Sequence, residues 1–180
     1  MTSAAMPVGW LQRLDNVVAK GENVFLAASH GIIAVLVVTA VIFRYFVGDP
    51  LVWTEEFVII LFAWMLFIGF ASGFRERMHL RIDALLILLP LKARFTLGLI
   101  AMVATMITLV GLLWYGVDQA VSLFETQTSM MRISAAWGVT ALPVGAALSC
   151  LHIIRHAVDD GLAETLWPPD LVAASVETEE

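Results

Sequence analysis

The sequence predicts an all-α integral membrane protein. It has four transmembrane helices, an amphipathic N-terminal helix before the first, and a short interfacial helix between helices 2 and 3. Three observations predict it. Hydrophobic residues make up 60% of the 180-residue chain and charged residues only 14%, whereas a soluble domain carries about a quarter charged residues. The mean hydropathy is +0.88. Four apolar runs are long enough to cross a bilayer, which takes roughly 17–25 helical residues.

The spans are placed at about 24–43, 54–75, 95–117 and 133–154, within a membrane domain covering 22–158. Lipid offers no partner for backbone N–H and C=O groups, so each run must satisfy them internally as a helix. Strands of a membrane barrel would be about 10 residues long with alternating polarity, and these runs are apolar all round. The first is too long for the 7–15-residue core of a signal peptide. It is followed by Arg44, Tyr45 and Phe46 rather than small residues, so it is read as a retained helix. Thr54 is the expected cap of the second span, with Glu55 and Glu56 at its positive end. Pro143, near the centre of the fourth, is expected to bend it.

The segments outside the spans are short. In 1–21, Trp10, Leu11, Leu14, Val17 and Val18 form an apolar stripe with Arg13, Asp15 and Lys20 between, as in a helix lying on the membrane surface. Ala84 to Leu89 is apolar, too short to cross and stopped by Pro90, so it reads as an interfacial helix. The loop Asp118 to Arg132 is mostly polar. Residues 159–180 form an acidic tail, expected to be disordered after Pro168 and Pro169.

Charge layout sets the orientation. Eight of the ten basic residues, Arg13, Lys20, Arg75, Arg77, Arg81, Lys92, Arg94 and Arg155, fall on one side; Arg44 and Arg132 fall on the other. Basic residues stay cytoplasmic, so both termini are expected there. Trp53, Trp114 and Trp137 then fall at the outer interface, where indoles are favoured.

Few residues suggest chemistry. No Asp, Glu, Lys or Arg occupies the middle of a predicted span, although a self-sufficient coupled transporter needs a polar midplane site. This favours a supporting role. It argues against an enzyme, and the lack of basic patches alternating with aromatics removes support for nucleic-acid binding. Cys150 is the only cysteine, so neither an internal disulfide nor a thiolate metal cluster can form. No cofactor or metal is expected. His30 and His152 lie at similar depth and could hold a haem between them; interfacial hydrogen bonding is the simpler account. His79 and Asp83, four apart, could share a metal only if helical, and a hydrogen-bond network is the plainer reading. Arg44 pairs with Glu55 or Glu56, or snorkels to headgroups. Gly69 and Gly73 form a GxxxG pair. Gly138, Ala141, Gly145 and Ser149 form a second small-residue stripe, packing inside the chain or against another subunit. Trp64, mid-span, needs a partner for its indole N–H.

The residues Arg44-Tyr45, Trp53-Thr54-Glu55-Glu56, Trp64, Gly69, Arg75, His79, Asp83 and Pro90, in that order and spacing, resemble the small membrane subunit of tripartite ATP-independent periplasmic (TRAP) transporters, the DctQ-like family. The four-span layout extends the resemblance over most of the chain. It implies two partners in a bacterial inner membrane. A large multi-span permease subunit carries the substrate and uses the sodium gradient, and a periplasmic solute-binding protein delivers an organic acid. The small subunit would be a fixed scaffold during uptake. Carried onto this chain, the resemblance puts Arg44, Trp53, Glu55 and Glu56 at the outer face. Trp64, Gly69 and Gly73 fall in packing, and Arg75, His79 and Asp83 at the cytoplasmic turn, none touching substrate. C4-dicarboxylates, other carboxylates and sialic acids all stay open. The competing readings are a haem-binding redox subunit and a small stand-alone oligomeric transporter.

Overall fold

The computed structural model describes residues 10–76 and 91–159, with side chains for 17–76 and 96–158. His79, Asp83, the predicted interfacial helix at 84–89 and the acidic tail lie outside the described residues.

Helix α1 runs from Trp10 to Ile42 and continues as a five-residue π-helix, Phe43–Val47. At 1.5 Å per residue, α1 spans about 50 Å, longer than the ~30 Å apolar slab. The predicted surface segment and first span are therefore one uninterrupted helix. Gly48 ends it in the left-handed conformation (φ 76°), its N–H bonded to the Phe43 carbonyl at 3.0 Å. Only glycine adopts that conformation without strain, and Pro50 cannot resume a helix interior.

Helix α2 spans Val52–Arg75, two residues earlier than the sequence suggested. Thr54 is consequently not the cap. It sits inside the first turn, fully buried, with its hydroxyl donating to the Leu51 carbonyl at 2.5 Å. Helix α3, Leu91–Ser122, takes in the start of the predicted loop. What remains is a tight hairpin: Gln127 and Ser134 form an antiparallel bridge, flanked by backbone bonds Thr128 to Ile133 and Ala135 to Thr126, both 2.8 Å. Arg132 is the one non-glycine residue with positive φ among the described residues, at 52°.

The fourth span is divided. Helix α4, Ala136–Val139, is followed by α5, Ala141–Asp159. Pro143 therefore occupies the first turn of α5, where a missing N–H is least costly, rather than the middle of a bent helix. The chain stays right-handed through Thr140 (φ −61°, ψ −17°), so the interruption is slight and lies toward the hairpin end.

Helices α2 and α5 form the central pair, with α1 packed mainly on α2 and α3 mainly on α5. The result is an open run, α1–α2–α5–α3, rather than a closed bundle. Two glycines mark close approaches between helices. A Cβ on Gly145 would lie 2.7 Å from the Phe67 carbonyl oxygen, and one on Gly116 would lie 2.8 Å from Pro143 Cδ. The stripe Ala141, Gly145, Ser149 thus packs within this chain, buried against α2. On the α3 side, Leu109, Met102, Ala146 and Ile153 cluster with Phe74. Elsewhere large apolar side chains such as Val35, Ile59 and Ile107 are about two-thirds exposed. That suits lipid, which is as apolar as they are, so their burial gains little. Four helices, covering Val17–Val47, Val52–Arg75, Thr96–Ser122 and Ala136–Val158, are long and apolar enough to cross a membrane.

Candidate functional site

The polar side chains gather into two clamps, one at each end of the helices. The end carrying most basic residues holds the more buried one. Arg75 closes α2, where a cation meets the negative end of the helix dipole. Its Nη1 donates to Glu22 Oε2 at 3.1 Å, and its Nη2 reaches Asn23 Oδ1 (3.1 Å), Ser72 Oγ (3.0 Å) and Glu76 Oε1 (3.3 Å). The other carboxylate oxygen of Glu22 takes a bond from His152 Nε2 at 3.0 Å. From α5, His156 Nε2 donates to the Arg75 carbonyl at 2.9 Å, a group the helix end would leave unpaired. The side chains of Glu22 and His152 are 3% and 0% exposed. Three helices are thereby joined through one carboxylate.

The hairpin end holds the second clamp. Glu55 and Glu56 are adjacent on a helix and point apart, as the sequence suggested. Glu55 pairs with Arg44 of the π-helix. Glu56 Oε2 accepts the Met130 and Met131 backbone N–H groups at 3.1 and 2.6 Å, fixing the hairpin over the start of α2. Deeper in the span, Trp64 Nε1 donates to the Trp137 carbonyl at 2.8 Å. Thr140 Oγ1 donates to the same oxygen at 3.0 Å. The indole therefore ties α2 to the interruption between α4 and α5, which supplies the partner its N–H needs.

Among the sequence candidates, the structure brings Arg44 to Glu55, Glu56 to the hairpin, and Arg75 to the buried clamp. Trp53 is about half exposed at the start of α2. Gly69 is in ordinary contact with α1, 3.7 Å from Leu26 Cδ2, and Gly73 is half-buried in α2. Gly69 does not make the tight crossing; Gly145 does. The two histidines considered as haem ligands are engaged separately. His30 Nδ1 donates to the Leu26 carbonyl of its own helix at 2.8 Å, and His152 is enclosed against Glu22. No cluster of metal-binding side chains occurs among the described residues, and no buried side-chain N or O there lacks a partner.

Sequence reasoning missed Glu22 and His156. The signal for His156 was present: Ala141, Gly145, Ser149, His152 and His156 recur at spacings of four and three, one face of a helix. Glu22 and Ser29, both buried, likewise sit seven apart in α1. Placing the first span from residue 24 left Glu22 outside it.

A family model described as tripartite ATP-independent periplasmic transporters, DctQ component, matches residues 33–161. The chain belongs to the DctQ family. The DctQ match includes Arg44, Glu56, Trp64, Arg75, His152 and His156, while Glu22 precedes it. Curated relatives agree. A C4-dicarboxylate TRAP transporter small permease protein from Vibrio cholerae is 24% identical over 176 residues, covering 84% of this chain and 76% of the relative. A sialic acid TRAP transporter small permease protein from the same organism is 32% identical over 104 residues, covering 57% and 59%. An ectoine TRAP transporter small permease protein from Halomonas elongata is 28% identical over 117 residues, covering 65% and 61%. The chain thus spans about three-fifths of the last two. None of these relatives supports the haem or stand-alone readings.

Proposed function

We propose that this DctQ-family chain is a rigid scaffold beside a large multi-span permease subunit. That subunit would perform sodium-driven uptake of a solute handed over by a periplasmic binding protein. The observation that carries the reading is the pair of clamps. One buried carboxylate ties α1, α2 and α5 at the basic end, and Glu56 and Trp64 tie α2 to the hairpin and the α4–α5 break at the other. Helices locked at both ends suit a body that stays fixed while a partner moves. The middle of each span offers no Asp, Glu, Lys or Arg for coupling, which supports placing the substrate and ion sites in the partner. The relatives are named for three different solutes, which supports placing substrate choice there too. Both termini are assigned to the cytoplasm on the layout of basic residues, in a bacterial inner membrane.

The test is co-expression with a large TRAP permease subunit and a TRAP solute-binding protein from the same organism. The chain should co-purify with the large subunit, and proteoliposomes should take up solute only when both membrane subunits and the binding protein are present. Uptake by this chain alone would sink the scaffold reading. Failure to associate with the permease would sink the assembly.

A further inference from the structure

A cleft of about 900 Å³ opens at the hairpin end, between the last turns of α3 and the α4–α5 interruption. Its walls belong to two membrane spans, and its polarity runs in one direction. Val117, Ala120 and Val121 face Pro143 in the deeper part, while Ser122, Glu125 and Ser134 lie at the loop side. From Val117 to Ser122 the depth is about 8 Å at 1.5 Å per residue. The order is that of a phospholipid, apolar below and polar above.

The hydrogen-bond inventory decides which headgroup fits. A hydroxyl has one proton to donate, and each hydroxyl here has spent it on a backbone carbonyl. Ser122 Oγ donates to Asp118 at 2.9 Å, Ser134 Oγ to Phe124 at 2.7 Å, and Thr140 Oγ1 to Trp137 at 3.0 Å. What these hydroxyls and Glu125 offer the cleft is lone pairs and a carboxylate. None of the lining residues is Lys, Arg or His. Apart from the Trp137 indole N–H, which is a donor, the lining side chains accept, so an anionic headgroup finds no cationic partner there. Phe124 and Trp137, 71% and 63% exposed, also line it, and aromatic faces attract cations.

We propose that this cleft binds one phospholipid of the leaflet at the hairpin end, selected by a primary ammonium headgroup. The ammonium places its three N–H donors against Glu125 and the free lone pairs, and an acyl chain lies between α3 and α5. A quaternary ammonium has no N–H to offer, so it keeps only the aromatic attraction. The site goes beyond the scaffold role and requires neither substrate nor large subunit.

The experiment is native mass spectrometry of the purified full chain. It is titrated with phosphatidylethanolamine, phosphatidylcholine and phosphatidylglycerol of identical acyl chains. The first lipid retained should be phosphatidylethanolamine, preferred roughly tenfold, the worth of one charge-assisted hydrogen bond. Glu125→Gln keeps the shape and should reduce the preference to about twofold or less. Val121→Trp, on an exposed position, should fill the cleft and abolish first-site binding of all three. Circular dichroism verifies that both variants stay folded. Equal retention of the three lipids would mean annular lipid only and overturn the proposal. So would a preference for phosphatidylglycerol, or a Glu125→Gln variant that binds as the parent does.

Discussion

Residues of the same type differ sharply in worth in this protein, and burial sets the difference. Arg44–Glu55 and Arg75–Glu22 are both arginine–carboxylate pairs. The first is more than half exposed on both sides; in the second the side chains are 12% and 3% exposed. Exposed pairs contribute about 0–1 kcal/mol. Removing one partner of a buried pair costs about 3–5 kcal/mol, because the other charge is stranded. Glu22→Ala should therefore lower the stability of the purified chain by several kcal/mol, since it leaves Arg75 and His152 facing an empty site. Arg44→Ala should change it by ~1 kcal/mol or less. Thermal or denaturant unfolding of the two variants side by side checks this, and similar losses would show that the basic-end clamp is not the stronger one. A subtler contrast holds for Glu56, whose acceptor oxygen serves two backbone N–H groups. Glu56→Ala should speed amide hydrogen exchange at Met130 and Met131 while leaving the bridge amides at Thr128 and Ala135 slower. Unchanged exchange at the two methionines would mean that the hairpin holds itself.

At the level of the helices, much of the fold was legible before any coordinates. Hydropathy alone located all four spans, because a membrane segment must be long, apolar and internally hydrogen-bonded. Their ends were less legible. Helix α3 runs five residues past the predicted end, since Asp118, Gln119 and Ser122 are polar yet continue the helix into the interface. Pro143 was misplaced because its effect depends on where the helix begins, and the interruption at Thr140 moves that start to Ala141. The packing face of α5 could be read from its small residues, but which helix it met could not: a stripe states that something approaches, not what. Gly69 and Gly145 illustrate this. Both belong to small-residue patterns, and only Gly145 meets backbone. Gly145→Ala should destabilise by about 1–3 kcal/mol, the usual cost of overpacking, because Phe67 presents its carbonyl rather than a movable side-chain tip. Gly69→Ala meets Leu26 Cδ2 at 3.7 Å, an ordinary contact, and should be neutral or slightly stabilising through helix propensity. Comparing melting temperatures of the two variants tests the assignment, and equal behaviour would remove Gly145 from the central crossing. The clamps were half legible. Arg75 and Glu56 stood out as charges at helix ends, whereas Glu22 acquires its meaning only when α1, α2 and α5 are brought together.

On the scale of the whole molecule, an open run of helices has consequences a closed bundle would not. Each flank of α1 and α3 meets lipid or another protein, and the helices are held in place mainly through α2, α5 and the two clamps. Such a body has two chemically distinct ends. Arg44, paired to Glu55, and Arg132 lie at the hairpin end, and the sequence assigns the other eight basic residues to the opposite side. With retention of Lys and Arg on the cytoplasmic side, this asymmetry predicts both termini in the cytoplasm. The expectation can be checked on the full chain because Cys150 is its only cysteine. In a Cys150→Ala background, a cysteine replacing Thr126 in the hairpin should react with a membrane-impermeant maleimide added to intact spheroplasts. A cysteine replacing Ala174 in the acidic tail should react only after the membrane is permeabilised. The reverse pattern would invert the protein and place the buried Glu22–Arg75–His152 clamp on the outer side. Labelling of both positions without permeabilisation would mean that the fourth span, Ala136–Val158, does not cross the membrane.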